Sequence, residues 1–351
     1  MSQSPLSDFS TVPIRVAING FGRIGRMVLR ALLEQGRADI QVVAINDLGS
    51  IADNAHLFKY DSIHGRYPGT VATAQDFLHI TEPGKDIGHI IKIFSEPAPS
   101  KLPWGLMDVD IVLECSGRFT KQEDAAQHLT AGAKRVIVSA PAVGADLTVV
   151  VGVNDYKLTK DHLVISCGSC TTNCLAPVAD VLHRTIGIER GFMTTIHAYT
   201  GDQRLVDTLH TDMHRARAAA LSMIPSSTGA AKALGLVLPE LMGKLDGCAV
   251  RVPTANVSMV DLTFVASKAT TVDDINTVMK DAASGPMGAV LSIVDEPLVS
   301  IDFNHSPYSS NFDLGQTHVV GGTFCRVVSW YDNEWGFSNR MIDLAALVGK
   351  L

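Results

Sequence analysis

The sequence predicts an α/β protein of two domains, in which a parallel sheet covered by helices precedes an α+β domain with a mixed or antiparallel sheet. The 351 residues suffice for two domains of ordinary size. Up to about residue 168, short runs rich in Val and Ile alternate with helical stretches, which is typical of parallel sheets buried on both faces. Beyond that residue, apolar and polar side chains alternate in several segments, which indicates antiparallel strands with one polar face.

The first domain is predicted over residues 13–168. Its Val- and Ile-rich runs, which we expect to be strands, lie at 14–18, 41–45, 109–115, 135–139, 147–153 and 163–166. Between the first two runs, apolar residues recur at helical spacing, and Gly36 suits the end of that helix because glycine readily adopts the left-handed conformation. A strand, a helix and a second parallel strand together form a βαβ unit.

The second domain is predicted over residues 169–332. The alternating segments, which predict antiparallel strands, are 257–267 and parts of 317–331. A helix is expected to start near Thr271, because two aspartates follow it and negative charge is favourable at a helix N-terminus. The chain ends in an amphipathic helix predicted within residues 333–351, whose packing partner the sequence pattern does not show.

A glycine-rich turn follows the first predicted strand. Gly20, Gly22 and Gly25 have the GxGxxG spacing at the start of the first helix. Such glycines let the backbone turn tightly and approach a pyrophosphate, which the free N–H groups of a helix N-terminus bind. Asp47 follows the second strand, about 20 residues further on, where a carboxylate would accept hydrogen bonds from ribose hydroxyls. The spacing alone is weak evidence, but the combination predicts a dinucleotide-binding site.

Three of the six cysteines, Cys167, Cys170 and Cys174, lie in one short segment after the last strand of the first domain. A helix is expected to begin around Cys170, and the helix dipole would lower the pKa of a thiol at that position. Because the thiolate is the reactive nucleophile, Cys170 is the candidate catalytic residue. Its expected partner is His197, at the end of another apolar run.

Two other functions fit cysteines at this spacing less well. Cys167 and Cys170 have the CxxC spacing of a redox dithiol, but such a motif normally follows the first strand of its sheet, so Cys167 is expected to be buried and inert. A zinc site would need a second ligand pair, and the other cysteines stand alone. His210 and His214 have the spacing of HExxH, but Thr211 replaces the glutamate. We therefore predict no metal site.

Composition argues against several classes of partner. The formal net charge of −7 offers no basic field for a phosphate backbone, so nucleic acid is not expected as the main partner. No apolar run approaches the roughly 18 residues of a membrane span, so no membrane association is expected. Residues 1–12 lack the features of a signal peptide and are predicted to be a polar extension, which together with the sparse cysteines indicates a cytoplasmic protein.

The motifs occur together in the order and spacing of one known family. The segments that carry the likeness are NGFGRIGR (19–26), SCTTNC (169–174), HAYTGDQR (197–204), RARAAA (215–220), PSSTGAAKA (225–233), RVPTANVS (251–258) and WYDNEWGFSNR (330–340). From about residue 13 onward, the chain resembles the phosphorylating glyceraldehyde-3-phosphate dehydrogenases of type I. The resemblance implies a Rossmann domain completed by the C-terminal helix, a catalytic domain, NAD as cofactor with NADP less favoured, and a homotetramer.

The same resemblance implies the reaction and its residues. D-glyceraldehyde 3-phosphate would be oxidised and phosphorylated by inorganic phosphate to 1,3-bisphosphoglycerate, in glycolysis or gluconeogenesis. Cys170 would form a thiohemiacetal and then a thioester, with His197 as base. By position in the matching motifs, substrate and phosphate would contact Ser169, Thr171, Thr200, Arg215, Thr228, Gly229 and Arg251, and the cofactor would contact Gly20, Gly22, Arg23, Ile24, Gly25, Asp47, Ser139 and Asn333.

Some positions depart from the family pattern. Cys167 stands where asparagine is usual, Thr208 where NAD-preferring members often have leucine, and His214 where arginine is common. One alternative is the related enzyme that acts on erythrose 4-phosphate, which would be expected to lose hydroxyl and phosphate contacts around residues 197–203, and this sequence keeps them. Another is a thiol redox or binding protein on the same fold, against which the intact nucleophile, base and arginines argue.

Overall fold

Two sheets organise the chain. The computed structural model describes residues 12–351, so the extension predicted over residues 1–12 lies outside the described residues except for Val12. A nine-stranded sheet is built from residues 14–166, and a seven-stranded sheet from residues 188–331. The predicted class, an α/β protein with a parallel-rich first sheet and a mixed second sheet, is confirmed.

The first sheet has the order β3-β4-β5-β2-β1-β6-β7-β9-β8. Its strands are β1 (Ile14–Asn19), β2 (Ile40–Asn46), β3 (Thr70–Ala74), β4 (Phe77–Thr81), β5 (His89–Phe94), β6 (Ile111–Glu114), β7 (Arg135–Val138), β8 (Leu147–Thr148) and β9 (Val164–Ser166). Pairing is parallel except in the β3–β4–β5 meander, which the sequence pattern did not predict. The carboxyl ends of β1, β2, β6 and β7 therefore meet at one edge.

The helices of this half are α1 (Arg23–Glu34), α2 (Ile51–Lys59), α3 (Gln122–Ala125) and α4 (Gln127–Thr130). Short 3₁₀ helices along the chain lie at Pro99–Lys101, Gly105–Met107, Asp155–Lys157, Pro239–Leu241 and Ser300–Phe303. The end of α1 is the predicted one: Gly36 has a φ of 61°, and its N–H donates to the Leu33 carbonyl while that of Arg37 donates to Leu32. These two bonds satisfy carbonyls that a helix end otherwise leaves free.

The run at 147–153 is predicted as one strand, and this prediction is wrong beyond its first two residues. Val149 and Val150 are fully buried, so the run is apolar because it packs in the core. The backbone then turns, with a φ of 84° at Gly152. The Asn154 side chain accepts the Val150 N–H at 2.8 Å and donates to the Thr148 carbonyl at 2.9 Å. Side-chain hydrogen bonds thus replace a strand ladder here.

The second sheet has the order β11-β12-β10-β13-β16-β15-β14. Its strands are β10 (Ile188–Ala198), β11 (Ile224–Ser227), β12 (Leu245–Val252), β13 (Ser258–Ala266), β14 (Leu291–Val294), β15 (Ser310–Val320) and β16 (Phe324–Tyr331). Pairing is antiparallel except for β10–β12 and β14–β15. In β13 every second side chain is buried, as the predicted alternation requires.

Helices cover one face of this sheet: α5 (Cys170–Thr185), α6 (Ala230–Val237) and α7 (Val272–Ser284). The start of α7 confirms the expected helix near Thr271. The Thr271 hydroxyl accepts the Asp274 N–H at 3.1 Å, and the Asp274 carboxylate accepts the Thr271 N–H at 2.9 Å. This reciprocal capping satisfies two backbone donors of the first turn.

The last helix, α8 (Trp335–Val348), packs against α1 of the first sheet. Met341, Leu344 and Val348 are fully buried in the apolar cluster that surrounds β1 and α1. The chain therefore returns to the first sheet at its end. Within residues 12–351, no helix combines the length and the apolar character needed to cross a bilayer.

Candidate active site

A cavity of about 300 Å³ opens at the carboxyl edge of the first sheet. Gly20 and Gly22, from the turn between β1 and α1, line it. A Cβ on Gly20 would come within 2.5 Å of the Ser116 backbone, whereas one on Gly22 would meet nothing within 4 Å. Gly20 thus allows the turn to pack closely, and Gly22 leaves the backbone open to the cavity, as a bound pyrophosphate requires.

Asp47 lines the same cavity from the end of β2. One carboxylate oxygen accepts the Phe21 N–H at 2.8 Å, and the other accepts the Gly49 N–H at 2.8 Å. Two backbone donors therefore hold the carboxylate at the cavity wall, where its remaining lone pairs are free to accept hydrogen bonds from hydroxyls. This acceptor fits the ribose hydroxyls of a dinucleotide.

The other cofactor residues predicted on the first sheet lie in the first turn of α1 or directly after β7. Gly25 packs against the carbonyl oxygen of Gly20, where a Cβ would clash, and Ile24 packs against the apolar core. Ser139 follows β7 and donates its N–H to the Glu114 carbonyl at 2.9 Å. The Arg23 guanidinium faces two carboxylates rather than the cavity, so only its backbone belongs to the glycine turn.

Cys170 is the first residue of α5, and Ser169 caps this helix by accepting the Thr172 N–H at 3.2 Å. The predicted helix start is therefore confirmed. His197 lies near the end of β10, and its Nε2 is 3.8 Å from the Cys170 sulfur. Two residues distant in sequence thus meet at hydrogen-bond distance for sulfur.

The orientation of the imidazole determines which nitrogen faces the thiol. His197 Nδ1 lies 2.7 Å from the Ala198 carbonyl oxygen, which can only accept a hydrogen bond. Nδ1 therefore carries the hydrogen in the neutral ring, and Nε2 presents its lone pair to Cys170. This is the arrangement in which a histidine accepts a proton from a thiol.

Both side chains are buried enough to change their pKa values. Burial, together with the charge of Arg251, lowers the pKa of His197 to about 4. Burial also raises the pKa of the Cys170 thiol, although Arg251 acts in the opposite direction. The expectation of a lowered thiol pKa is therefore wrong, because burial outweighs the helix start and the arginine. Both shifts favour the neutral thiol and the neutral imidazole, so we expect the thiolate to arise here by transfer of the thiol proton to His197 Nε2.

The lowered pKa of His197 predicts how stability depends on pH. An unfolded chain takes up a proton at this histidine near pH 6.5, whereas the folded chain does so only near pH 4. The free energy of unfolding should therefore fall by about 3 kcal/mol between pH 7.5 and pH 4 from this group. In His197→Gln, the decrease in the free energy of unfolding from pH 7.5 to pH 4, measured with urea, should be smaller than in the wild type by that amount. An unchanged difference would contradict the assignment.

Strand register places Arg251 next to His197. The two residues are paired in the parallel β10–β12 ladder. Arg251 Nη1 donates to the Thr200 hydroxyl at 3.0 Å and to the Ala198 carbonyl at 3.2 Å. Its Nε is buried and has no hydrogen-bond partner within the described chain. An unsatisfied cationic donor beside the nucleophile is suited to an anionic ligand.

A second arginine belongs to the same region. Arg215 donates to the Ser226 hydroxyl through Nε at 2.9 Å and Nη2 at 2.7 Å, and its Nη1 is 2.5 Å from the Asp202 carboxylate. The Asp202 carboxylate also accepts from the Thr200 hydroxyl. The Asp212 carboxylate also lies 3.6 Å from Arg215 Nε, so two carboxylates accompany the two guanidinium groups. Guanidinium groups are nevertheless suited in shape to the oxygens of a phosphate group.

The remaining residues predicted for the substrate lie at two helix N-termini. The Thr171 hydroxyl, in the first turn of α5, lies 2.8 Å from the Tyr331 hydroxyl. The Thr228 hydroxyl accepts the Ala230 N–H at 3.2 Å, and Gly229, which directly precedes α6, has open space at its Cα. Since α6 packs against α5, both N-termini belong to one cluster of helices.

Asn333 lies beside His197 and has an unsatisfied oxygen. Its Nδ2 donates to the Ser258 hydroxyl at 2.6 Å and lies 3.3 Å from His197 Nε2. Its Oδ1 is buried without a hydrogen-bond partner in the described structure, which typically costs about 1–3 kcal/mol. That oxygen is therefore available to accept from the amide of a nicotinamide, and the residues fit the second half of a dinucleotide.

Sequence reasoning missed several residues that shape this site, namely Thr195, Asp202, Ser226, Ser258 and Tyr331. The Tyr331 hydroxyl also lies 2.9 Å from the Thr195 hydroxyl, and Ser258 accepts the Ala198 N–H at 2.9 Å. Ser258 and Tyr331 lie opposite each other in the β13–β16 ladder. The residue types serine and tyrosine do not by themselves indicate a site residue. The signal for Ser258 and Tyr331 is that they lie in the matching segments 251–258 and 330–340. Within residues 12–351, no group of three His, Cys, Asp or Glu side chains is placed to hold a metal ion.

A dinucleotide-binding fold with a cysteine–histidine pair beside two arginines defines a dehydrogenase. Residues 14–122 match the NAD binding domain of glyceraldehyde 3-phosphate dehydrogenase, and residues 169–333 match its C-terminal domain. The chain therefore belongs to the glyceraldehyde-3-phosphate dehydrogenase family. It is 62% identical to glyceraldehyde-3-phosphate dehydrogenase of Xanthobacter flavus and 60% identical to that of Cereibacter sphaeroides, each over 96% of this chain and 99% of the relative. For Geobacillus stearothermophilus the identity is 55%, over 96% of this chain and 98% of the relative.

Proposed function

We propose that the chain catalyses the phosphorylating oxidation of D-glyceraldehyde 3-phosphate to 1,3-bisphosphoglycerate, with NAD as cofactor. The observation that carries the proposal is the convergence on His197 of three different groups. The Cys170 sulfur lies 3.8 Å from His197 Nε2, Asn333 Nδ2 lies 3.3 Å from the same nitrogen, and Arg251 Nη1 lies 3.1 Å from Nδ1. A nucleophile, an amide suited to nicotinamide and an anion-binding group thus surround one base.

In the first half of the reaction, Cys170 attacks the aldehyde carbon while His197 Nε2 accepts the thiol proton. The free N–H groups at the start of α5 then stabilise the oxygen of the thiohemiacetal, a role typically worth roughly 3 kcal/mol. His197 returns its proton to this oxygen, which completes the neutral thiohemiacetal, and accepts it again from the hydroxyl when the intermediate is oxidised to the thioester. The nicotinamide of the bound cofactor supplies the hydride acceptor.

In the second half, an oxygen of inorganic phosphate attacks the thioester carbon. The carbon–sulfur bond breaks, the acyl phosphate leaves, and Cys170 is released as thiolate. Two anions have to be bound, the substrate phosphate and the attacking phosphate. We assign both to the two arginines, the hydroxyls near them and the residues at the N-termini of α5 and α6, namely Ser169, Thr171, Thr200, Arg215, Thr228, Gly229 and Arg251. Guanidinium forks and hydroxyls suit phosphate oxygens.

We assign the cofactor to a site that extends from the glycine turn to Asn333. Gly20, Gly22 and Gly25, with the backbone of Arg23 and Ile24, hold the pyrophosphate, while Asp47 binds the adenosine ribose, and Ser139 and Asn333 bind toward the nicotinamide. Residues 13–168 with 333–351 thus form the dinucleotide-binding domain, and residues 169–332 form the catalytic domain. The packing of α8 against α1 supports this division.

We further propose a homotetramer in the cytoplasm. Support comes from the segment 200–223, which exposes several large apolar side chains that another subunit would cover, namely Leu205, Val206, Leu209, Met213, Leu221 and Met223. Sedimentation equilibrium of the purified protein tests the assembly, and a monomer at micromolar concentration would contradict it.

The reaction is tested by following NAD reduction at 340 nm with D-glyceraldehyde 3-phosphate, with and without inorganic phosphate. Sustained turnover is expected only with phosphate, because the thioester otherwise has to be cleaved by water. Equal sustained rates in both conditions would indicate a non-phosphorylating dehydrogenase. A higher kcat/KM with erythrose 4-phosphate would favour the related enzyme, and no turnover with either sugar would favour a thiol-based binding protein.

Cofactor preference is expected to depend on Asp47. The additional phosphate of NADP would lie near this carboxylate, and two unit charges 4 Å apart repel by about 4 kcal/mol at an effective dielectric constant near 20. The neighbouring Leu48 is exposed and offers no hydroxyl. In Asp47→Ala, kcat/KM for NAD should fall and that for NADP should rise, while Asp86→Ala, on an exposed loop of the first sheet, should change neither.

Wild-type protein that prefers NADP would contradict this assignment. Thr208 and His214 would then be the residues to examine, because both are exposed and offer a hydroxyl and an imidazole to the extra phosphate from a neighbouring subunit. Specificity constants for both cofactors decide the question.

A further inference from the structure

Two histidines meet where the two sheets adjoin, outside the site described above. His64 lies in the loop between α2 and β3, and His305 lies in the loop between β14 and β15. Their Nδ1 atoms are 3.0 Å apart. The opposite nitrogen of each ring faces a carboxylate, with His64 Nε2 3.2 Å from Glu334 and His305 Nε2 2.9 Å from Glu34. We call His64 and His305 the histidine pair.

The contacts of the histidine pair form a continuous chain of hydrogen bonds. A carboxylate only accepts, so each Nε2 carries a hydrogen and donates it. The 3.0 Å contact between the two Nδ1 atoms then links Glu34 through both rings to Glu334. The His64 side chain is fully buried, which makes an unpaired nitrogen there costly. The pair therefore connects the end of α1 rigidly to the segment that follows β16.

Glu334 receives a further partner from the glycine turn. Arg23 Nε lies 2.7 Å from Glu334 Oε1, and its Nη2 bonds the other carboxylate oxygen. Burial acts to raise the pKa of Glu334, but the hydrogen bonds from Arg23 and His64 lower it overall. Glu334 thus stays charged between a residue of the glycine turn and the histidine pair.

Hydrogen bonds hold Asp332, which precedes Asn333 in the chain. Its Oδ2 accepts hydrogen bonds from the backbone N–H of His305 and from the Asn256 side-chain amide, each at 2.7 Å. Its Oδ1 accepts the backbone N–H of Trp335 at 2.7 Å. The His305 ring also stacks on the Trp335 ring, with centroids 3.5 Å apart and planes 22° from parallel. Residues 332, 334 and 335 are therefore all bound to the histidine pair or its immediate neighbours.

Asn333 is the residue between these anchored positions, and its Oδ1 is the buried oxygen without a partner. A buried polar group stays unsatisfied only where its surroundings prevent it from turning to another partner. We propose that His64 and His305 are positioning residues, which hold Asn333 in the orientation that binds the cofactor amide. This inference rests on the proposed function only in assigning Asn333 to the cofactor.

The proposal is tested by a double-mutant cycle on cofactor affinity, measured by isothermal titration of the full-length protein with NAD. His64→Leu and Asn333→Ala are each expected to raise Kd about tenfold. Together they should also raise it about tenfold, because the histidine pair acts through Asn333. His64→Gln should stay within about threefold of wild type, since its amide offers one donor and one acceptor at the spacing of the ring nitrogens.

Matched controls separate positioning from general destabilisation. His89 also contacts a carboxylate, that of Glu82 at 2.9 Å, but it begins β5 and therefore lies at the opposite end of the strands from the carboxyl edge, so His89→Leu should leave Kd unchanged. If His64→Leu is insoluble, His305→Leu takes its place in the cycle. A Kd about a hundredfold above wild type in the double variant would mean that the two single effects are independent and would overturn the proposal. Wild-type Kd values in the histidine variants would overturn it as well. Phosphate-independent turnover would instead contradict the proposed function and leave this coupling intact.

Discussion

Replacing Cys170 by serine is expected to lower kcat on the order of 10⁴-fold or more while leaving NAD affinity within about twofold of wild type. The hydroxyl is a much weaker nucleophile than the thiolate, and its proton is harder for His197 Nε2 to accept. The sulfur lies 3.8 Å from that nitrogen, at the first residue of α5, where backbone N–H groups are free to stabilise an oxyanion. Steady-state NAD reduction and a cofactor titration of the same preparation measure the two effects.

Cys167→Ala provides the matched control for this experiment. The Cys167 side chain is fully buried in the apolar cluster that contains α8, and burial raises the pKa of its thiol to about 12. A neutral, inaccessible thiol does not take part in turnover, so this variant should keep most of the wild-type kcat. A comparable loss of activity in both variants would contradict the assignment of Cys170 as sole nucleophile and would favour a dithiol function.

Replacing Arg251 by glutamine is expected to raise the KM for inorganic phosphate or for the sugar phosphate by about 10- to 100-fold. A hydrogen bond to a charged group typically contributes about 1.5–3 kcal/mol, and glutamine retains a donor without the charge. Arg251 also lowers the pKa of His197, so the variant should show a higher apparent pKa in the acid limb of its pH profile. Initial rates over both substrate concentrations and pH give both quantities.

The control for this prediction is Arg184→Gln. The Arg184 side chain is 59% exposed at the end of α5 and pairs with Asp180, so its loss should not change either KM. Wild-type KM values in Arg251→Gln would show that the unpaired Nε of Arg251 does not face an anion. The anion-binding role would then have to be assigned to Arg215 alone.

Features that depend on residues close along the chain follow from the amino-acid sequence alone. The turn of Gly20 and Gly22 between β1 and α1, the end of α1 at Gly36 and the caps at Ser169 and Thr271 all arise from bonds that span a few residues. The alternation in β13 likewise reflects a period of two. Such signals were sufficient to predict the α/β class and to place the candidate nucleophile at a helix start.

How distant segments meet depends on the packing of the whole chain. The Cys170–His197 distance and the position of Arg251 depend on the order and register of β10 and β12, and no local pattern encodes which strands become neighbours. The same holds for the return of α8 to α1. Burial is also a property of the whole fold: it accounts for the apolar run that continues after β8 ends at Thr148, and it raises the pKa of the Cys170 thiol although a helix start alone would lower it.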